Sequence, residues 1–111
     1  MQVLKAQALE GQYALTTTEH LPLAGVRQGM AGKVRIAAGT RSPPEGRRKS
    51  AAHELGYVVS GRLLIETATH KHEVTAGDIL VMSPAEDHST TAVEDSEIFF
   101  VLLDPVLAPV R

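Results

Sequence analysis

The residues best suited to chemistry begin in the stretch HELGYVVSGRLLIE, residues 53 to 66. An apolar run from Leu55 to Val59 stops at Ser60-Gly61 and resumes at Leu63. This predicts a β-hairpin with the carboxylate of Glu54 at the mouth of its first strand. Such a carboxylate can hold a metal, bind a substrate or face water. The chain also has five histidines, His20, His53, His70, His72 and His88, and no cysteine. Disulfides, thiolate zinc sites and thiol nucleophiles are therefore excluded. His53 directly precedes Glu54, so in an extended strand the two point to opposite faces unless a bulge intervenes. His70 and His72 share a face in or beside the turn after RLLIETA, near the strand end away from Glu54, and read as a solvent-facing pair. His20 is too far upstream to place. The basic segment RSPPEGRRKS, residues 41–50, reads either as a lid whose cations attract an acidic ligand or as a solvated loop.

The elements that must position these groups are short and β-rich. KVRIAAG alternates and predicts a strand, followed by the polar loop TRSPPEGRRKSAA. ELGYVVS, RLLIETA, HEVTA, DILVM, HSTTAV and EIFFVLL follow, separated by turns at THK, Ala76-Gly77, SPAED and EDS. No amphipathic helix separates them, which predicts an antiparallel all-β fold of about seven or eight strands, a sandwich or jelly-roll barrel. Upstream, LTTTEHLPL reads as a short helical turn capped by a threonine and limited by Pro22. The tail DPVLAPVR, with two prolines, is not expected to form an inner strand. With Glu54 facing inward, period two places Gly56, Val58 and Ser60 beside it, small residues that leave room for a ligand. Leu55, Tyr57 and Val59 then face out and require a cover. His88, Thr90 and Ala92 share one face, while Phe99 and Phe100 point to opposite faces.

A chain of 111 residues is expected to form one domain. A net charge of −2 argues against a nucleic-acid partner bound through bulk electrostatics. No apolar run approaches the ~20 residues of a membrane span. The opening MQVLKAQALEG has neither the apolar core nor the cleavage pattern of a signal peptide, so a cytoplasmic location is expected.

Between Lys33 and Val101 the chain resembles the cupins of the RmlC-like superfamily, whose fold is a double-stranded β-helix, a jelly-roll barrel. The family's first motif runs Gly, five residues, His-x-His, three or four residues, Glu, six residues, Gly. Glu54 and Gly61 have the final spacing. The second motif runs Gly, five residues, Pro-x-Gly, two residues, His, three residues, Asn. GDILVMSPAEDHSTTA supplies Gly77 and His88 at matching separation, with Ser83, Ala85 and Ala92 where Pro, Gly and Asn are usual. The histidine pair is missing. Counting back from Glu54 puts its positions on Arg48 and Ser50, or on Arg47 and Lys49. Counting forward from Gly39 puts them on Glu45 and Arg47.

The resemblance implies a barrel over residues 33–103, an N-terminal segment 1–32 packed on it, and a C-terminal tail 104–111. It also implies that Glu54 and His88 face each other across the interior. Two functions remain open. In one, the metal site is degenerate and the barrel holds a small polar, acidic molecule, bound by Glu54, His88 and a rim arginine, Arg47 or Arg48. A guanidinium there suits a carboxylate or phosphate. In the other, a cupin enzyme (isomerase, dioxygenase or lyase) uses Glu54, His88 and Glu45 to hold a divalent transition metal, iron, manganese, zinc or nickel. A third reading is a filled barrel serving assembly. Cupins are commonly dimers, and the outward apolar residues agree with a homodimer.

Overall fold

Alternating apolar and polar residues, punctuated by glycine, produce strands that each bury one face. The computed structural model describes residues 1, 3–18, 26–50, 52–84 and 86–105, and has no helix among them. The strands are β1 (Tyr13–Thr17), β2 (Val26–Ile36), β3 (Arg41–Ser42), β4 (Arg48–Lys49) and β5 (His53–Ser60). They continue with β6 (Arg62–Glu66), β7 (Lys71–Thr75), β8 (Ile79–Met82), β9 (Asp87–Ala92) and β10 (Ser96–Pro105). One sheet has the order β1-β2-β10-β5-β8 and the other β3-β9-β6-β7, with β4 also paired to β9. Every pairing among these strands is antiparallel. The all-β jelly-roll expectation therefore holds.

Between the sheets lies a core of Val34, Ile36, Val58, Leu63, Ile65, Val74, Ala92 and Ile98, with Leu80 and Phe100 packed against it. Val58 and Leu63 are fully enclosed. Removing a side chain of that size from water contributes about 1.5–3 kcal/mol. The hairpin between β5 and β6 turns at Gly61, whose φ is +89°. A Cβ there would collide with Ser96 Oγ. That hydroxyl accepts the Arg62 amide at 3.0 Å and donates to the Glu94 carbonyl at 2.8 Å, closing this end of the barrel.

Several sequence expectations change. Leu15–Thr17 belong to β1 rather than to a helical turn, because Leu15 pairs with Val34 and Thr17 with Gly32. The rest of that stretch, residues 19–23, lies outside the described residues. Residues before Lys33 supply β1 and the first half of β2, so a boundary at that point falls inside a strand. The polar loop after Gly39 contains β3 and β4, each two residues long and held by β9. At the other end Asp104 and Pro105 extend β10 against β2 across a register shift; residues 106–111 lie outside the described residues.

Ser60 does not turn inward. Glu97 pairs with Ser60 but Ile98 with Val58, so Val59 is an extra residue and both Val59 and Ser60 are exposed. Gly56 and Val58 also leave no room for a ligand. Leu80 and Ile98 pack over Gly56, and Val58 is sealed in the core. Phe100 packs inward and Phe99 is exposed, as the alternation predicts. No helix among the described residues is long and apolar enough to cross a membrane.

Candidate functional site

A cavity of about 250 Å³ lies between the sheets, with Glu54, Arg48 and His88 at the end away from Gly61. Glu54 reaches it from the start of β5, where its Cα pairs with Met82 on one side and Leu102 on the other. His88 reaches it from the start of β9. Arg48 joins them because the chain returns to β9: its Cα partner is His88 itself. That return is braced by Arg41, whose guanidinium donates to the carbonyls of Pro43 and Gly46, both at 2.7 Å. Arg48 Nη1 donates to Ser42 Oγ at 3.3 Å, and both residues line the cavity together with Ser50 and Thr90.

The register left open between residues 45 and 50 is thereby decided. Arg48 and Ser50 share the cavity with Glu54 and His88, as counting back from Glu54 places them. Arg47 and Glu45 do not line it and are exposed. Glu45 therefore cannot complete a set with Glu54 and His88. His53 is exposed on the opposite face of β5, as strand alternation requires. His70 and His72 are exposed and stacked, with ring centroids 5.8 Å apart. They stand at the Glu54 end of the barrel rather than away from it. Ile65 pairs with both His72 and Thr90, and the turn beyond lies level with His88. They rim an adjoining cleft of about 300 Å³ that shares Ile65, Leu80 and Met82 with the main cavity. His20 lies outside the described residues.

Burial shapes the electrostatics. It raises the Glu54 pKa above 4.5, and the positive charge of Arg48 offsets part of that rise. It lowers the His88 pKa below 6.5, and Arg48 pushes in the same direction against the acidic Glu86 and Asp87. The imidazole is thus held neutral near pH 7. Among the described residues its buried Nδ1 has no hydrogen-bond partner. Buried polar atoms are nearly always paired, so this nitrogen is available to a water or a bound molecule.

The donor set does not fit a divalent transition ion. Among the described residues no group of three His, Asp or Glu side chains converges. A protein site for such an ion normally supplies at least three ligands. Here Glu54 and His88 stand with Arg48, and a guanidinium beside a dication is repelled.

The sequence did not point to the remaining walls. Tyr13 and Leu15 come from a strand that was not expected, although the alternation of YALTT carries its signal. Met30, Leu80, Met82 and Leu102 complete an apolar lining that no motif marks.

Comparisons with known proteins agree with this fold. Residues 32–104 match the cupin domain family. No curated protein matches the chain. Among solved structures, a conserved protein of unknown function from Streptococcus pyogenes superposes with a TM-score of 0.68 at 19% identity, covering 95% of this chain and 93% of that one. KdgF from Halomonas sp. gives 0.67 at 22% identity, covering 91% of this chain and 87% of that one. An RmlC-like cupin from Shewanella frigidimarina gives 0.67 at 18% identity, covering 90% and 82%. At these identities the likeness establishes the fold alone.

Proposed function

The chain belongs to the cupin family, and from that premise we propose that its barrel is a receptor for a small organic acid, with Arg48 taking over a position the family gives to a metal-binding histidine. The observation that carries this reading is the cross-strand pairing of Arg48 with His88 beside Glu54 at one cavity. A guanidinium offers a planar fork of donors matched to a carboxylate. Neutral His88, with its unpartnered Nδ1, adds a group that can donate or accept one further hydrogen bond. Glu54, partly desolvated, supplies a donor when protonated and a counter-charge to Arg48 when ionised. The cavity is slightly smaller than the ~300–1,000 Å³ of common ligand pockets, which suits a small ligand. Calorimetric titration of the purified chain with small carboxylates, before and after Arg48→Gln, tests the proposal. Binding that is lost in the variant supports it; binding of equal strength in both refutes it.

A metal-dependent enzyme with Glu54 and His88 as ligands has one observation in its favour, a His88 Nδ1 without a partner among the described residues. Elemental analysis after dialysis without chelator separates the two readings. A stoichiometric transition metal that disappears in His88→Ala would favour the enzyme.

The protein is further proposed to act as a homodimer. On the outer face of the larger sheet, Phe99, Tyr57 and Ile79 form one cross-strand row, and Val101, Leu55 and Val81 form the next. Ile79 and Val81 are 70% and 71% exposed. These rows with Val59 expose on the order of 600 Å², the upper end of the ~300–600 Å² of a typical monomer's largest apolar patch. A second copy, placed by a two-fold axis, covers such a face with the same residues.

A further inference from the structure

We infer that the acid held at Arg48 is a monocarboxylate with an apolar body, rather than a polyacid, a sugar acid or a sugar phosphate. This rests on the acid-receptor reading above and concerns the part of the ligand beyond its carboxylate. Apart from the hydroxyls of Tyr13 and Thr17 on β1, the polar groups of the cavity are gathered on one side. Ser42, Arg48, Ser50 and His88 come from β3, β9 and the strand and loop between them, and Glu54 from the adjacent end of β5. Deeper in, the walls are aliphatic. Val34 pairs with Ile98, Ile36 lies two residues further along β2 on the same face, and Leu80 and Ile65 close the other side. A second carboxylate placed there would be desolvated with no cation among the described lining residues to pair it. Each stranded sugar hydroxyl would weaken binding about tenfold.

An independent observation points the same way. Tyr13 and Leu15 line the cavity, yet they are 45% and 52% exposed. Inward-facing apolar side chains on a strand normally find a cover. An apolar body seated against the aliphatic floor, where Leu15 pairs with Val34 and Val34 with Ile98, provides such a cover. The cavity volume sets the size. About 250 Å³ accommodates roughly eight to twelve non-hydrogen atoms at about 20–30 Å³ each, the upper figure being the share of a water molecule in the liquid.

The test is calorimetric titration of the full chain at pH 7 with butanoate, pentanoate, hexanoate, octanoate and phenylacetate, alongside succinate, citrate and hexanamide. Affinity should rise about fourfold with each methylene buried, then level off once the cavity is filled. Hexanamide should bind at least tenfold more weakly than hexanoate. Succinate or citrate binding more tightly than hexanoate would overturn the apolar-body inference and leave the acid receptor standing. Hexanamide binding as well as hexanoate would do the reverse, sinking the acid receptor while the apolar body survives. Failure of every acid to bind would overturn both.

Discussion

Replacing Arg48 by glutamine is the most informative perturbation, because this side chain supplies the site with its cation while contributing little to the fold. Its residue is exposed, its strand is two residues long, and its only side-chain hydrogen bond among the described residues is the 3.3 Å contact to Ser42. Surface substitutions of this kind usually change stability by within about 0.5 kcal/mol. The variant should therefore unfold at nearly the wild-type temperature. Binding should respond very differently. A hydrogen bond to a charged group contributes about 1.5–3 kcal/mol, so losing the guanidinium should weaken a carboxylate ligand roughly 10- to 150-fold. The titrations of its neighbours should shift as well. Arg48 opposes protonation of both Glu54 and His88, so its removal should raise both pKa values. The His88 ring, followed by NMR across pH, should titrate higher in Arg48→Gln than in the wild type. Arg47→Gln is the control, since Arg47 does not line the cavity. If Arg48→Gln leaves both the acid affinity and the His88 titration unchanged, the guanidinium does not act in the cavity and the reasoning fails.

Glu54→Gln should stabilise the protein at neutral pH by about 0.5–2 kcal/mol, as relieving a functional group of its burial often does. Because the folded pKa is raised, the native state binds more protons than the unfolded state between pH 4.5 and that pKa, and wild-type stability falls as pH rises through the window. The advantage of the variant should therefore shrink as pH is lowered towards 4.5; thermal melts showing it grow instead would contradict the burial of this carboxyl. His88 acts with the opposite sign: its lowered folded pKa costs stability as pH falls below 6.5, and His88→Gln should flatten that limb of the melt profile. Val81→Asp, on the outer face of β8, should shift the chain from dimer to monomer in light scattering while leaving its circular dichroism intact; an unchanged mass would remove this face as the interface. Gly61→Ala combines a positive φ with a collision at Ser96 and should cost at least about 1–3 kcal/mol, read as a lower denaturation midpoint.

Much of the fold was legible because its signals are local. The Ser60-Gly61 turn needs a residue that accepts positive φ, and the flanking apolar runs alternate with the period of a strand. The same alternation separated Glu54 from His53 and Phe100 from Phe99 before any long-range contact was known. It failed at Ser60, where a bulge opposite β10 inserts a residue and reverses the face; pairing with a strand some forty residues away decides that. It also missed β1, whose Thr-rich sequence suits a capped turn as well as a strand until Val34 and its neighbours offer an edge to pair with. Position 48 shows the division most clearly. From the chain alone, Arg47 and Arg48 were equivalent cations on a polar loop. Only the return of that loop to β9, braced by Arg41 and paired at His88, sets one of them at the rim of the cavity and turns the other away from it. Residue type fixes which chemistry a side chain can perform, but the register between strands distant in sequence fixes where it is performed, because one step along a strand reverses the direction in which every side chain points.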